Sequence, residues 1–227
     1  MTQDYQRPIR SFVMRAGRMT EGQQKGWDQG FARFGHSYDQ GLFDWDSAFG
    51  RRGKRVVEIG FGMGDSLLAM AETHPDINYL GIEVHRPGVG RLLAQALVRG
   101  ISNIRVYAED AVPVLTDCIP PATVDVLQIY FPDPWHKKRH NKRRLVQHEF
   151  IARVAPCLTH GGLMHLATDW EPYAEHMLEV MEAAEGFENI AGANQFSQRP
   201  SWRPETKFER RGARLGHGVW DLLYRRV

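Results

Sequence analysis

The chain has 227 residues, of which 42% are hydrophobic and 25% are charged, which suits one α/β domain with an ordinary core. No run approaches the roughly 18 apolar residues of a membrane span, and the first residues lack the apolar stretch of a secretory signal, so we predict a cytoplasmic protein without membrane contact. The net charge is only +2, but residues 137–144 hold six Lys or Arg and no acid, and residues 197–227 hold eight against three acids. Two basic patches on an otherwise acidic chain favour a polyanionic partner at one face, with solvated surface stretches as the alternative.

Residues 1–50 show no sustained periodicity beyond a short helix predicted over 38–49, and we assign them to an N-terminal extension whose mobility stays open. Residues 51–227 are assigned to a single domain. Apolar runs predict strands at 56–59, 79–83, 104–107, 124–131 and 162–167, with late strands at 187–190 and 219–226. Helical spacing predicts helices at 66–73, 88–99, from 112, at 143–158 and at 172–184.

Strands that alternate with helices predict a mostly parallel sheet covered on both faces. Ligands of such sheets bind beyond the carboxyl ends of the strands. Acidic residues stand at or just after five of these ends: Glu58, Glu83, Asp110, Asp133 and Asp169.

A glycine-rich loop follows the first strand of this rhythm. Gly60, Gly62 and Gly64 alternate with other residues, which predicts a tight turn that a ligand can approach closely. Asp65 and Glu58 place negative charge where a dinucleotide site would hold a pyrophosphate. A cationic ligand without phosphate fits better, and S-adenosylmethionine, with its ammonium and sulfonium, is such a ligand.

Two further acids complete a cofactor site of this kind. Glu83, some twenty residues beyond the loop, is placed to accept hydrogen bonds from the ribose hydroxyls, and Asp110 from the adenine amine. Each acid alone could instead be a helix cap or a surface charge.

The segment from Pro132 to Arg144 is the most informative part of the sequence about function. Prolines on both sides of Asp133 predict a stiff, extended backbone that presents a carboxylate at the end of a central strand. Trp135 offers a flat face for stacking, although a packing role is as plausible. The basic run is suited to phosphate contacts, and Lys137 could alternatively be an unpartnered surface cation. Neither the histidines nor Cys118 and Cys157 have ligand spacing, so we predict no metal and reduced thiols.

Four motifs stand in order: Glu58-Ile-Gly-Phe-Gly-Met-Gly64, Pro132-Asp-Pro-Trp-His-Lys-Lys-Arg-His140, Thr168-Asp169 and Thr206-Lys-Phe-Glu209. Together they resemble the bacterial tRNA (guanine-N7-)-methyltransferase family over about residues 40–227. The resemblance implies a class I S-adenosylmethionine-dependent methyltransferase fold, Rossmann-like, with a mostly parallel seven-stranded sheet and an antiparallel last strand. It implies methyl transfer from S-adenosylmethionine to N7 of a guanosine in tRNA, in the variable loop.

The resemblance also implies roles for individual residues. The catalytic acid is Asp133, and the cofactor residues are Glu58, Gly60, Gly62, Glu83, Asp110 and Asp133. Substrate residues are Lys137, Asp169, Thr206, Lys207, Phe208 and Glu209, and the RNA-contacting run is Arg139, His140, Asn141, Lys142, Arg143 and Arg144. We expect a monomer, with a homodimer as the alternative.

Three rival functions remain at this point. An NAD(P)-dependent oxidoreductase could use the same sheet, but the dinucleotide glycine pattern is missing and Glu58 opposes a pyrophosphate. A non-catalytic RNA-binding module would not need acids at every strand end. A methyltransferase acting on protein or small molecules would not need the basic run.

Overall fold

The computed structural model describes residues 11–12, 17–205, 209 and 218–227. Their strands form one sheet: β1 (Gly35–His36), β2 (Arg55–Ile59), β3 (Asn78–Ile82), β4 (Ile104–Tyr107), β5 (Val124–Tyr130), β6 (Leu158–Thr168), β7 (Phe187–Asn189) and β8 (Trp220–Arg226). The spatial order is β1-β4-β3-β2-β5-β6-β8-β7. Strands β1 to β6 pair in parallel, and β8 runs antiparallel between β6 and β7.

Helices cover both faces of this sheet. They are α1 (Glu21–Phe34), α2 (Trp45–Phe49), α3 (Asp65–Thr73), α4 (Arg86–Arg99), α5 (Ala111–Pro113), α6 (His148–Val154) and α7 (Glu171–Glu182). The side chains of α1, α3 and α4 pack against Val56, Val106 and Val126 on one face. Those of α2, α5, α6 and α7 pack against Val57, Leu80 and Ile129 on the other. The predicted parallel sheet between two helical layers is confirmed.

The sheet has eight strands rather than the expected seven. The additional strand is β1, which pairs with β4 at the sheet edge through Gly35 and His36. It comes from the segment assigned to an extension. In the same segment, Phe43 and Trp45 are each 3% exposed and belong to the hydrophobic core.

Helix α1 was not predicted, because its buried face consists largely of glycine. The buried positions Gly26, Gly30 and Phe34 recur every four residues, but two of them carry no side chain. A Cβ on Gly26 would lie 2.2 Å from the carbonyl oxygen of Gly90 in α4, so the two backbones touch. A capping box between Thr20 and Gln23 begins the helix and was the readable signal.

The helix predicted over 143–158 is shorter in the structure. Residues Lys138–Arg143 form a 3₁₀ turn, the backbone is extended at Arg144 and Gln147, and α6 begins at His148. Arg144 is held by the carbonyls of Pro134 and Pro172, which fixes the chain away from helical geometry. The helix predicted over 38–49 likewise divides into a 3₁₀ turn, Tyr38–Gln40, and α2.

Candidate active site

The glycine loop joins β2 to α3 in the predicted tight turn. Gly60, Gly62 and Gly64 have φ values of 74°, 57° and 79°, which side chains rarely adopt. The Gly62 amide donates to Glu83 Oε2 at 2.8 Å, so the loop is fastened to the end of β3. This leaves a Cβ-free backbone open to a ligand at the carboxyl edge of the sheet.

A cavity of about 220 Å³, here the rim cavity, lies at this edge. Four predicted cofactor residues line it: Gly60, Glu83, Asp110 and Asp133. Ser11 and Phe12 also line it, which sequence reasoning did not anticipate. Parallel strands end at one edge, and this is why acids distant in sequence share one cavity.

A second cavity, here the loop cavity, is also lined by Gly60. Glu58 and the glycine loop form one wall, and Pro204 and Glu205 form part of another. The two cavities share Gly60, Tyr130 and Phe131 as lining residues. All six predicted cofactor residues therefore line two adjoining cavities.

Glu58 is the most perturbed acid of the site. It is 2% exposed, and its Oε2 has no hydrogen-bond partner in the part of the chain that the structure describes. Burial, with a smaller contribution from the negative charge of Glu83, raises the pKa of Glu58 to about 8. A buried carboxyl group with an unused oxygen is a receptor for a cationic group, because a cation both supplies the missing hydrogen bond and favours ionisation.

The other acids have local partners as well. Glu83 accepts a second backbone hydrogen bond, from His85, at 2.8 Å. Asp110 caps α5 by accepting from the Val112 amide at 3.1 Å, so the helix-cap interpretation holds for one of its oxygens. Asp65 pairs with Arg91 at 2.6 Å, and this corrects the expectation that Asp65 adds net negative charge to the loop.

Asp133 lies in a constrained turn. Phe131 and Trp135 on either side of it have φ values of 51° and 48°, a sparsely populated region for such side chains. The Trp135 indole donates to the Ser11 carbonyl at 3.1 Å. Asp133 itself is exposed and accepts no hydrogen bond from the described residues, so its carboxylate is presented to the rim cavity.

The basic run does not behave as one unit. Lys137, Arg139 and Lys142 are exposed, and the Arg143 guanidinium lies 3.8 Å from the centre of the Trp135 ring. His140 also packs edge-on against Trp135, and the Asn141 side-chain oxygen is buried without a partner.

Arg144 differs from the rest of the run. It is 5% exposed, donates to the carbonyls of Pro134 and Pro172, and stacks over Tyr173. The expected RNA contact of Arg144 is therefore corrected, because its guanidinium makes its hydrogen bonds inside the protein. There it holds the Asp133 segment against α7.

The remaining predicted substrate residues are dispersed. Asp169 is exposed at the end of β6, and neither cavity is lined by Asp169 or Lys137. Glu209 is 6% exposed and accepts from Arg203 at 2.7 Å. Thr206, Lys207 and Phe208 lie outside the described residues.

A buried polar chain behind the loop cavity was missed. Tyr130, His165, Asp221 and Arg203 are linked by hydrogen bonds of 2.7–2.8 Å. The available signal was a charged or polar residue in the middle of an apolar strand, at His165 in β6 and Asp221 in β8.

The described ranges also bear on the thiols, on metal binding and on membrane spans. Cys118 and Cys157 are buried and unpaired with each other. Among those ranges, His, Cys, Asp and Glu nowhere gather in a group of three that could hold a metal ion. Of the helices that the structure describes, none combines the length and apolarity needed to traverse a bilayer.

Solved structures of low sequence identity share the fold of this chain. The 16S rRNA methyltransferase KamB is 16% identical, with a TM-score of 0.60 over 82% of this chain and 94% of its own. The 16S rRNA (adenine(1408)-N(1))-methyltransferase of Catenulisporales acidiphilia is 13% identical, with a TM-score of 0.54 over 84% and 91%. The protein has the class I methyltransferase fold, and residues 52–222 match the family described as "Putative methyltransferase".

Sequence relatives narrow this class to one family. The tRNA (guanine-N(7)-)-methyltransferase of Alcanivorax borkumensis is 58% identical over 96% of this chain and 91% of its own. That of Pseudomonas aeruginosa is 58% identical over 97% and 91%, and that of Saccharophagus degradans is 57% identical over 96% and 95%. The chain belongs to the tRNA (guanine-N7-)-methyltransferase family.

Proposed function

We propose that this protein transfers a methyl group from S-adenosylmethionine to N7 of a guanosine in tRNA, in the variable loop. The observation that carries the proposal is the buried Glu58 carboxyl group, whose unused Oε2 lies beside the glycine loop. A cationic cofactor satisfies it, and a pyrophosphate does not. The relatives above, which act on guanine N7 of tRNA by their names, support the proposed substrate.

The cofactor residues divide between the two cavities. Glu58 would hold the ammonium in the loop cavity, where Gly60 and Gly62 allow close approach. Glu83 and Asp110 would accept from the ribose and the adenine amine in the rim cavity. Both retain lone pairs for this after their backbone hydrogen bonds.

The chemistry asks little of the protein beyond alignment and charge. When bound, S-adenosylmethionine supplies a methyl group on a positively charged sulfur. Guanine N7 has an in-plane lone pair and no proton at neutral pH, so no side chain need act as a general base. As the new N–C bond forms, the bond between the methyl group and sulfur breaks and a neutral thioether leaves. Positive charge would thereby pass to the purine, where the Asp133 carboxylate would stabilise it. Alignment can supply roughly 7–11 kcal/mol in favourable cases.

Recognition of RNA is assigned to groups around this edge. Lys137, Arg139, Lys142 and Arg143 would contact phosphates, with His140 and Asn141 beside them. Asp169 and Glu209, together with Thr206, Lys207 and Phe208, are our candidates for binding the guanosine. Because N7 of such a base is engaged in folded tRNA, the base must swing out, at a cost of a few kcal/mol.

Incubation of unmodified tRNA with labelled S-adenosylmethionine tests the proposal, with chemical cleavage at N7-methylguanosine to locate the product. A matched tRNA carrying 7-deazaguanosine at that position lacks the attacking nitrogen and should take up no label. Label in the 7-deaza tRNA, or none in either, would refute N7 transfer.

Equilibrium dialysis should show binding of S-adenosylmethionine and not NAD. Action on tRNA also supports a cytoplasmic location, and sedimentation would test the expected monomer.

A further inference from the structure

Arg203 occupies the least expected environment of any charged residue described. It is 2% exposed, which is rare for an arginine. Its Nε and one terminal nitrogen donate to the two carboxylate oxygens of Asp221 at 2.7 and 2.8 Å, a bidentate pair. The same terminal nitrogen also donates to Glu209 at 2.7 Å.

The network continues from Asp221 to the end of β5. His165 Nε2 is 2.7 Å from Asp221 Oδ1, and His165 Nδ1 is 2.8 Å from the Tyr130 hydroxyl. Burial lowers the pKa of His165, whereas hydrogen bonds from His165 and Arg203 outweigh burial and lower the pKa of Asp221. The imidazole of His165 is therefore neutral. Its Nε2–H donates a hydrogen bond to ionised Asp221, and its Nδ1 accepts a hydrogen bond from the Tyr130 hydroxyl.

This chain of hydrogen bonds joins two walls of the site. Tyr130 ends β5 and immediately precedes Phe131, whose positive φ directs the turn that presents Asp133. Arg203 immediately precedes Pro204 and Glu205, which line the loop cavity together with Glu58. The guanidinium also lies 5.8 and 5.7 Å from the ring centres of Tyr130 and Phe131.

Stability alone does not account for such a group. A buried ion pair contributes little net stability, because the desolvation of both charges offsets their attraction. In addition, Arg203 Nη1 is buried and has no hydrogen-bond partner among the described residues, which is unfavourable. A well-packed apolar residue would serve the core at least as well, so a role in geometry is the better explanation.

We infer that Arg203 is a positioning residue for methyl transfer to tRNA. It sets Pro204 and Glu205 relative to the Phe131–Asp133 turn, with Asp221, His165 and Tyr130 as the rigid connection. This inference rests on the proposed function for its kinetic readout. Misplacement of reacting groups by about 1 Å can cost on the order of 100-fold in rate.

The test compares Arg203→Lys, which keeps the charge but loses the planar fork, with Tyr130→Phe, which removes one hydroxyl. Arg51→Lys is the matched control, because Arg51 joins Asn78 and Ile77 at the opposite end of the sheet. We expect kcat on tRNA to fall roughly 10- to 100-fold in Arg203→Lys and about two- to ten-fold in Tyr130→Phe. The dissociation constant for S-adenosylmethionine should stay within about three-fold of wild type in both.

Hydrogen–deuterium exchange provides a readout that does not need activity. In Arg203→Lys, exchange should accelerate both in peptides covering 200–205 and in those covering 131–133, and not in β2 to β4. Normal tRNA kinetics in Arg203→Lys, or loss of cofactor binding in proportion to loss of turnover, would overturn the inference. If Arg203→Lys does not fold, Tyr130→Phe decides by the same kinetic split. If the wild type itself fails to methylate tRNA, the proposed function fails, and joint exchange of the two segments still decides the positioning role.

Discussion

Replacement of Glu58 by Gln tests the electrostatic basis of the cofactor site. The carboxyl group is buried, one of its oxygens is unpartnered, and burial raises its pKa to about 8 from an ordinary value of 4.5. An acid whose pKa is higher in the folded state opposes folding once the unfolded chain ionises. The penalty is absent below pH 4.5, grows as the pH rises, and is complete above pH 8.

The magnitude follows from the two pKa values. Each unit is worth about 1.4 kcal/mol. Ionisation of this glutamate in the unfolded chain therefore lowers the stability of the cofactor-free protein by at most about 3 kcal/mol at pH 7 and by about 5 kcal/mol above pH 8. Glutamine has nearly the same shape and cannot ionise. The variant should therefore gain stability over wild type as the pH rises from 5 to 8, with a plateau above.

Urea unfolding of cofactor-free protein at pH 5.5, 7 and 8.5 measures this difference. Glu72→Gln is the matched control for the loss of one carboxyl group, since Glu72 pairs with Arg99 on the exposed side of α3. A difference between Glu58→Gln and wild type that does not change with pH would refute the reasoning.

The same carboxyl group predicts proton release on cofactor binding. Because the ammonium of S-adenosylmethionine requires ionised Glu58, binding at pH 7 should release about one proton in wild type and none in Glu58→Gln. Calorimetry in buffers of different ionisation enthalpy measures this number. Equal proton release in both proteins would place the ammonium elsewhere.

The remaining predictions concern the catalytic acid, the basic run and the first helix. Asp133→Asn should keep cofactor affinity and unfolding midpoint near wild type but lower turnover on tRNA severely, by about 100-fold; near-normal turnover would remove Asp133 from the catalytic role. Replacing Arg139 and Lys142 by Ala should weaken tRNA binding and reduce the slope of log affinity against log salt by roughly 2, whereas an unchanged slope would mean a solvated surface. Gly26→Ala should destabilise the protein by roughly 1–3 kcal/mol through its clash with the Gly90 carbonyl. Gly22→Ala, in open space on the same helix, should be neutral or stabilising by a few tenths, and equal unfolding midpoints for the two would show that α1 does not pack on α4.

The local pattern of apolar residues and glycines predicts much of the fold from the sequence. The predicted strands β2 to β5 and the glycine loop are confirmed. They could be predicted because short buried strands and positive-φ turns depend on residues that are adjacent in the sequence. Helix α1 was not predicted because its contact face is largely glycine. A close approach of two backbones produces no hydrophobic periodicity in the sequence. The helix predicted over 143–158 was too long, because carbonyls distant in sequence hold Arg144 extended.

Residue types and their spacing establish the chemistry available at the sheet edge: acids at successive strand ends, a loop without Cβ atoms, and a basic run beside a rigid Pro-Asp-Pro segment. Which of these charges remain available to a ligand depends on the folded chain. The fold pairs Asp65 with Arg91, buries Arg144, and leaves Glu58 Oε2 without a hydrogen-bond partner among the described residues. Burial and long-range pairing set the protonation and exposure of a charged group, and neighbouring residues in the sequence specify neither of them.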